Sequence, residues 1–205
     1  MRTQVIGISH TIGAGGDEIG RSVAEQLGFR FVDEEIITGA AEKAGIEPDA
    51  VADAEKRRGF LERFVDTLGM ASTAGIAYSV PDPAMGRSED FRGLIRDAVQ
   101  ETAGRGEAVI VSHAASIALA GRNDLLRVFI TASPDVRARR LSELAGVGEA
   151  EAKKMVKQQD EARADYLRRF YALARELPTN YDLVINTDAL SQDEAAAVLV
   201  HAARR

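Results

Sequence analysis

Five short runs of apolar, β-branched residues recur along the chain, with segments of helical spacing between them. The runs are TQVIGIS from Thr3, FRFVD from Phe29, EAVIVSH from Glu107, LLRVFITA from Leu125 and YDLVINT from Tyr181. Strands separated by helices pair in parallel, and the nearly continuous apolar character of these runs indicates burial on both faces. The pattern predicts a three-layer α/β fold around a five-stranded parallel sheet.

The length and composition suit a single globular domain spanning residues 1–205. Of the 205 residues, 45% are hydrophobic and 28% charged, which excludes a disordered or fibrous chain. With no cysteine, disulfides, thiolate nucleophiles and thiolate metal sites are excluded. The first residues pass directly into a strand, and no apolar run reaches membrane-spanning length. We therefore expect a soluble, cytoplasmic protein with no membrane partner.

The net charge of −6 argues against a nucleic-acid partner, because such binding depends on clustered lysine and arginine. Basic residues are nevertheless concentrated between Arg137 and Arg175, where RARR, KK and LRR occur. That segment is either a local anion site or a solvated helix face. The oligomeric state, a homodimer included, is left open.

A glycine-rich turn follows the first strand in GISHTIGAGGDEIGRSVAEQLG and leads directly into a helix. Gly13, Gly15 and Gly16 can adopt positive φ and allow close approach of a ligand to the backbone. The helix beginning near Asp17 offers unpaired N–H groups and the positive end of its dipole. The sequence therefore predicts a phosphate cradle. Its candidate residues are His10, Gly13, Ala14, Gly15, Gly16, Asp17, Glu18, Ile19 and, from the end of the third strand, His113.

This turn lacks two residues of the P-loop pattern GxxxxGK[ST]. In that pattern a lysine reaches the phosphates and a hydroxyl ligates Mg²⁺. Counting back from Gly28, Gly16 stands at the lysine position, and the carboxylates Asp17 and Glu18 follow it where the pattern continues with its hydroxyl residue.

Segments from the first strand to the last resemble the cytidylate-kinase-like family. They are SHTIGAGGDEIGRSVAEQLGFRFVDEEII, FITASPDVRARRLSEL, DEARADYLRRF and NYDLVINT. The resemblance implies a P-loop NTPase/kinase fold with strand order 2-3-1-4-5, an acceptor-side helical region at 34–105 and a helical lid region at 134–176. It also implies nucleotide ligands, with ATP and Mg²⁺ as cofactors.

Three positions depart from the family pattern, and each departure removes a permanent positive charge. His10 and Asp17 stand where the family usually has arginine, and Ser112-His113 replaces a Gly-Arg pair. Imidazole is only partly protonated near neutrality, and a carboxylate repels phosphate, so we expect weaker triphosphate binding than in a typical relative.

Two of the candidate groups have competing interpretations. Glu18 can hold Mg²⁺ directly, yet Asp17 and Glu18 are also what a helix N-terminus favours in any protein. His10 and His113 end strands that are neighbours in the implied order. They can contact one phosphate, or form a divalent-metal site with Glu18 or Asp33, or be ordinary polar residues at strand ends.

The acceptor-side candidates are Asp33, Arg92, Arg96 and Tyr166. Asp33 matches an acidic family residue that faces the acceptor nucleotide, but it also suits an N-cap of the next helix. Arg92 and Arg96 share a helix face and can grip a phosphate or remain solvated. Tyr166 belongs to a DxxRxxY pattern, with core packing as the alternative.

Arg137, Arg140, Asp160 and Arg163 are the candidate catalytic residues. Arg137 and Arg140 share a helical face and match arginines that close over phosphates in related kinases, where cations stabilise the spread charge of phosphoryl transfer. The spacing of Asp160 and Arg163 allows a pair that aims Arg163 inward, or a surface ion pair of little energetic value.

Three functions fit these residues. The first is an ATP-dependent, cytidylate-kinase-like phosphotransferase. The second is a catalytically degenerate nucleotide-binding or partner-binding protein, which the changes at positions 10, 16, 17 and 113 favour. The third is a metal-dependent phosphohydrolase that uses His10 and His113.

Overall fold

The computed structural model describes residues 3–33, 87–111 and 115–205, with the backbone alone at 87–95, 169 and 170. The described strands are β1 Val5–His10, β2 Arg30–Val32, β3 Ala108–Val111, β4 Leu125–Thr131 and β5 Leu183–Asn186. The described helices are α1 Gly16–Leu27, α2 Arg87–Gly104, α3 Ala115–Ala118, α4 Pro134–Ala145, α5 Glu149–Tyr171 and α6 Gln192–Ala203, with a 3₁₀ turn at Pro178–Asn180.

The five strands form one parallel sheet in the order β2-β3-β1-β4-β5. β1 lies at the centre of this order, and its Val5, Ile6 and Ile8 are completely buried. In the register, Ile8 pairs with Val111 of β3 and His10 with Ile130 of β4. The predicted α/β fold and strand order are confirmed. His10 and Thr131 therefore lie at one edge of the sheet, where the strands end.

The side chains of alternate strand residues divide the core between the two faces of the sheet. On one face, Ile6, Ile8 and Val128 pack in a buried cluster with Val23 of α1 and Leu199 of α6. On the other face, a Cβ at Gly7 would lie only 3.2 Å from the backbone of Ser116 in α3. Since real Cβ atoms rarely approach backbone so closely, Gly7 allows α3 to lie directly on the central strand.

The chain divides into two compact units. One comprises Met1–Glu34 together with Val99–Arg205 and contains the whole sheet. The other is Glu35–Ala98, in which the described residues are the helical segment 87–98. Most of the acceptor-side region predicted at 34–105 lies outside the described residues.

Helix boundaries follow the expected signals at most ends. Gly28 ends α1 in a left-handed conformation, with φ of 71°, and its N–H donates to carbonyls of the last turn. Ser133 and Pro134 begin α4 as the N-cap and first helical residue. The long helix α5 ends at Tyr171, within the lid region expected at 134–176. Within the described segments, no helix has the length and apolar character needed to cross a membrane.

Candidate functional site

The glycine-rich turn connects the end of β1 to the start of α1. Gly13 and Gly15 have φ of 76° and 79°, a region that only glycine adopts readily. Gly15 is the N-cap of α1, and no side chain caps this helix end. The N–H groups in the first turn of a helix have no carbonyl of the same helix four residues earlier to bond. They point off the helix end together with its positive dipole, which is the arrangement of an anion cradle.

Close contacts explain why the turn needs glycine at two of these positions. A Cβ at Gly13 would lie 2.9 Å from the backbone oxygen of Arg137 in α4. A Cβ at Gly15 would lie 3.1 Å from the side-chain nitrogen of Gln192 at the start of α6. The turn is thus enclosed by two helices that belong to the C-terminal half of the chain.

His10 occupies the space beside Gly16. A Cβ at Gly16 would lie 2.3 Å from Cγ of the His10 ring, which is far inside contact distance. The ring places Nδ1 3.3 Å from the carbonyl oxygen of Thr11 and Nε2 3.6 Å from the carboxylate of Asp17. A lysine at position 16 is therefore sterically incompatible with this ring position, which gives a physical reason for the missing P-loop lysine.

Two carbonyl oxygens of the turn accept hydrogen bonds from side chains. Arg140 donates from Nη1 to the oxygen of Gly13 at 3.2 Å and to the hydroxyl of Thr187 at 3.0 Å. Its Nη2 donates to the backbone oxygen of Thr187 at 2.6 Å. The Thr187 hydroxyl in turn donates to the oxygen of Ala14 at 3.0 Å. Arg140 and Thr187 therefore brace the turn on the side of its carbonyl groups.

Arg137 is almost completely buried, with 3% exposure, and it joins α4 to α5. It donates to both carboxylate oxygens of Asp160, at 2.9 and 2.7 Å, and from Nε to the oxygen of Ala132 at 3.0 Å. The expected pairing of Asp160 with Arg163 is replaced by this one. The reason is geometric: the guanidinium of Arg137 presents a planar fork to the carboxylate across the helix contact.

Arg163 binds Glu176 beyond the end of α5, with distances of 3.0 and 2.6 Å. Tyr181 also donates to the Glu176 carboxylate. Burial lowers the pKa of the Arg163 guanidinium, but the hydrogen bonds and charge of Glu176 outweigh it and raise the pKa above its ordinary value. Arg163 is thus held as a charged group in a carboxylate pair.

Three of the four acceptor-side candidates have described side chains. Asp33, at the end of β2, lies 3.8 Å from Arg21, whose guanidinium also stacks on the ring of Phe31 at 4.3 Å. Tyr166 contacts Tyr171 within α5, with ring centroids 6.0 Å apart. Arg96 is exposed on α2. The side chain of Arg92 lies outside the described atoms.

The proposed metal ligands are only partly described. Glu18 is exposed in the first turn of α1, where its carboxylate faces solvent beside the cradle. His113 lies outside the described residues. Over 3–33, 96–111 and 115–205, no three histidine, aspartate or glutamate side chains converge as a metal site.

A cleft of about 420 Å³ opens next to the turn. Its lining residues are Ala14, Arg140, Thr187, Leu190, Ser191, Gln192 and Asp193. Sequence reasoning identified Ala14 and Arg140 but missed Thr187, Leu190 and Gln192. The position of Thr187, directly after the last strand, is the signal that could have found it, since ligands of open α/β sheets bind at the carboxyl ends of strands.

The order 2-3-1-4-5, with a glycine-rich turn between the central strand and a helix, defines a P-loop kinase fold. Solved structures show the same fold. An uncharacterised protein from Eubacterium ventriosum aligns with a TM-score of 0.66 at 18% identity, covering 98% of both chains. Shikimate kinase from Bacteroides thetaiotaomicron aligns with a TM-score of 0.52 at 18% identity, covering 97% of both chains.

Sequence comparison resolves the family within this fold class. The profile of the Cytidylate kinase-like family matches residues 5–189, and the chain belongs to that family. A protein described as cytidylate kinase, from Methanocorpusculum labreanum, is 26% identical over 195 residues, which is 95% of this chain and 93% of the relative. The resemblance seen in the separate motifs is therefore confirmed over most of the chain.

Proposed function

We propose that the chain is an ATP-dependent phosphotransferase that acts on a pyrimidine nucleoside monophosphate. The observation that carries the proposal is the uncapped start of α1 at Gly15, which directs backbone N–H groups beside a cleft containing Arg140. Family membership and the name of the Methanocorpusculum labreanum relative support the choice of reaction.

The donor nucleotide fits along the turn and into the adjacent cleft. The phosphates are held by the backbone N–H groups at the start of α1, and the nucleobase enters the cleft. There Leu190 supplies an apolar contact surface and Arg140 a planar cation that can stack on an aromatic ring. Gln192 supplies an amide that can bind a polar edge of the base.

Glu18 is the residue that we propose for Mg²⁺. Its exposed carboxylate offers the oxygen ligand that Mg²⁺ prefers, in the segment where the common loop continues with its hydroxyl residue. When bound, the ion would neutralise phosphate charge and orient the transferred group.

The arginines contribute unequally in this proposal. Arg140 lines the cleft and donates a hydrogen bond to the Gly13 oxygen of the turn. Arg137 and Arg163 are each bound to a carboxylate, so direct phosphate contact by either requires exchange of that partner. We assign the phosphates first to the backbone N–H donors, and to Arg140 the support of the turn and of the cleft that receives the base. Asp33, at the end of β2, remains the proposed acceptor contact.

The test is ADP release with ATP, Mg²⁺ and a panel of nucleoside monophosphates that includes CMP, UMP, dCMP and AMP. We expect turnover with a pyrimidine acceptor, and a loss in kcat/KM of about 100-fold or more in Arg140→Ala. Arg139→Ala is the matched control, because Arg139 is an exposed neighbour on the same helix. If no nucleotide raises the melting temperature at millimolar concentration, the proposal fails.

One observation favours a second candidate, a nucleotide-binding protein without turnover. The His10 ring stands against Gly16, and the Asp17 carboxylate lies 3.6 Å from that ring, so a carboxylate is placed at the mouth of the cradle. Binding of ATP with no ADP release for any acceptor would select this candidate over the kinase.

A further inference from the structure

We propose that Thr187 is a positioning residue that fixes which way the glycine turn presents its N–H groups. The inference rests on the proposed function, because it assigns how the same cradle is kept ready for phosphate. Thr187 is not part of the sequence motif of the turn, because it lies 173 positions beyond Ala14.

The direction of the peptide group between Ala14 and Gly15 is the point that Thr187 controls. In a trans peptide the C=O and the following N–H point in opposite directions. Because the Ala14 oxygen accepts a hydrogen bond from Thr187 at 3.0 Å, the N–H of Gly15 points away from Thr187. Since Gly15 is the N-cap of α1, we infer that its N–H joins those of the first helical turn on the phosphate side of the loop.

Without this bond the peptide has a competing orientation. Gly15 adopts φ of 79° here, and glycine populates negative φ about as readily. Rotation of the Ala14–Gly15 peptide would therefore meet little steric resistance at Gly15. It would place a carbonyl oxygen where the N–H stood, so a bound phosphate would face a negative end of a dipole instead of a positive one.

Thr187 is suited to this task because its hydroxyl is held from several sides. It accepts from Nη1 of Arg140 at 3.0 Å while it donates to Ala14, and a cationic donor strengthens the second bond of such a chain. The backbone N–H of Thr187 donates to Thr131 at 2.8 Å, which continues the pairing of β5 with β4. With 2% exposure, the side chain has little room to turn elsewhere.

The chemistry requires a group that both donates and accepts at this position. Serine keeps that capacity, whereas valine keeps the shape of threonine and loses the hydroxyl. Thr187→Ser and Thr187→Val are therefore matched variants that separate the hydrogen bond from the packing. Arg140→Met removes the guanidinium that donates to the Thr187 hydroxyl. It should therefore also weaken the hydrogen bond from Thr187 to the Ala14 oxygen.

The binding experiment uses the full chain with ATP and, separately, with inorganic tripolyphosphate, which lacks the base. We expect Thr187→Val and Arg140→Met to bind both probes about tenfold or more weakly, and Thr187→Ser to remain within about threefold of wild type. Tripolyphosphate distinguishes an effect on the turn from an effect on the cleft that receives the base. Equal binding by the valine and serine variants would overturn the proposal.

The orientation itself is measured on the free protein by amide NMR. We expect the Gly15 and Gly16 amide signals to shift or broaden in Thr187→Val and Arg140→Met, and to match wild type in Thr187→Ser, while the amide of Leu199 in the core stays unchanged in all four proteins. If wild type binds no nucleotide but this pattern appears, the proposed function fails and the role of Thr187 stands. Unchanged Gly15 and Gly16 amides in both Thr187→Val and Arg140→Met would overturn that role whatever the binding result.

Discussion

Arg163 of α5 is bound to Glu176, which lies 13 residues further along the chain, through two hydrogen bonds to the same carboxylate. The pair is part of a cluster that joins the end of α5 to the sheet. The Arg163 guanidinium lies 5.5 Å from the ring centroid of Phe129, and that ring stacks on Tyr181 at 5.1 Å. The segment between α5 and β5 is thereby anchored to β4.

Tyr181 provides the first prediction. Burial raises the pKa of its phenol, and the hydrogen bond to Glu176 raises it further. A group whose pKa is higher when folded contributes stability that is complete below its unfolded pKa of about 10, and the contribution is lost as the pH rises towards the folded pKa. We expect Tyr181 to ionise last among the tyrosines in an ultraviolet titration of tyrosinate.

The variant Tyr181→Phe checks the assignment. It should lack the last step of the titration, and its unfolding free energy should be about 1–3 kcal/mol below that of wild type at neutral pH. The difference should narrow as the pH rises above about 10. An unchanged final step in Tyr181→Phe would show that another tyrosine is responsible.

The Arg137–Asp160 pair gives the second prediction. Asp160→Asn leaves the guanidinium of Arg137, with 3% exposure, without its carboxylate. Because Asp160 itself is 41% exposed and water can replace part of the interaction, we expect a loss of about 1–3 kcal/mol in urea unfolding. Asp165→Asn is the control on the same helix, since its pair with Arg168 is exposed and should be worth less than about 1 kcal/mol. Equal losses in the two variants would contradict the buried role of Arg137.

The contact between His10 and Gly16 gives the third prediction. Gly16→Ala places a methyl group within 2.3 Å of the ring, so we expect a loss of about 1–3 kcal/mol in unfolding free energy. The loss should disappear when His10→Ala is combined with it. Gly104→Ala is the control, because nothing lies within 4 Å of a Cβ there, and that helical substitution should be neutral or stabilising by up to about 1 kcal/mol. A Gly16→Ala effect that persists without His10 would refute the steric explanation.

Asp182 provides the fourth prediction, which concerns the stability of the fold at low pH. The side chain of Arg127 hydrogen-bonds Asp182 at 2.6 and 3.1 Å and lowers the pKa of its carboxyl, although burial opposes the shift. A lowered pKa contributes stability above the unfolded value of about 3.9, and this is lost as the pH falls through the folded pKa. The stability difference between wild type and Asp182→Asn should therefore be constant from pH 7 to about pH 5 and shrink below about pH 4.

The control for this titration is Glu25→Gln, an exposed carboxyl on α1. The difference in unfolding free energy between wild type and Glu25→Gln should not change below about pH 4. If Asp182→Asn and wild type lose stability in parallel down to the lowest pH, the Arg127 pair does not carry the predicted linkage.

The fold could be predicted because its signals are local. Buried strands alternating with helices indicate a parallel sheet, Gly28 marks the end of α1, and Ser133 with Pro134 marks the start of α4. The strand order followed from the family resemblance. Each of these signals lies within a few residues of the feature it specifies.

The site was less predictable because its contacts depend on how separate elements cross. Spacing within one helix predicted a pair between Asp160 and Arg163, and it contained no information about Arg137, which reaches Asp160 from α4. The missing lysine was visible in the sequence, whereas its steric cause, the ring of His10, was visible only in three dimensions.

The glycine turn is translated early, yet the side chains that brace it are among the later ones to leave the ribosome. Arg140 follows Gly13 by 127 positions, and Thr187 follows Ala14 by 173. A nascent chain that has not yet been extended through β5 therefore contains every residue of the turn but has no means of orienting it. If Thr187 orients the turn as we propose, a chain that ends before β5 should bind the proposed ligand more weakly than the full chain, so tight binding follows completion of the last strand.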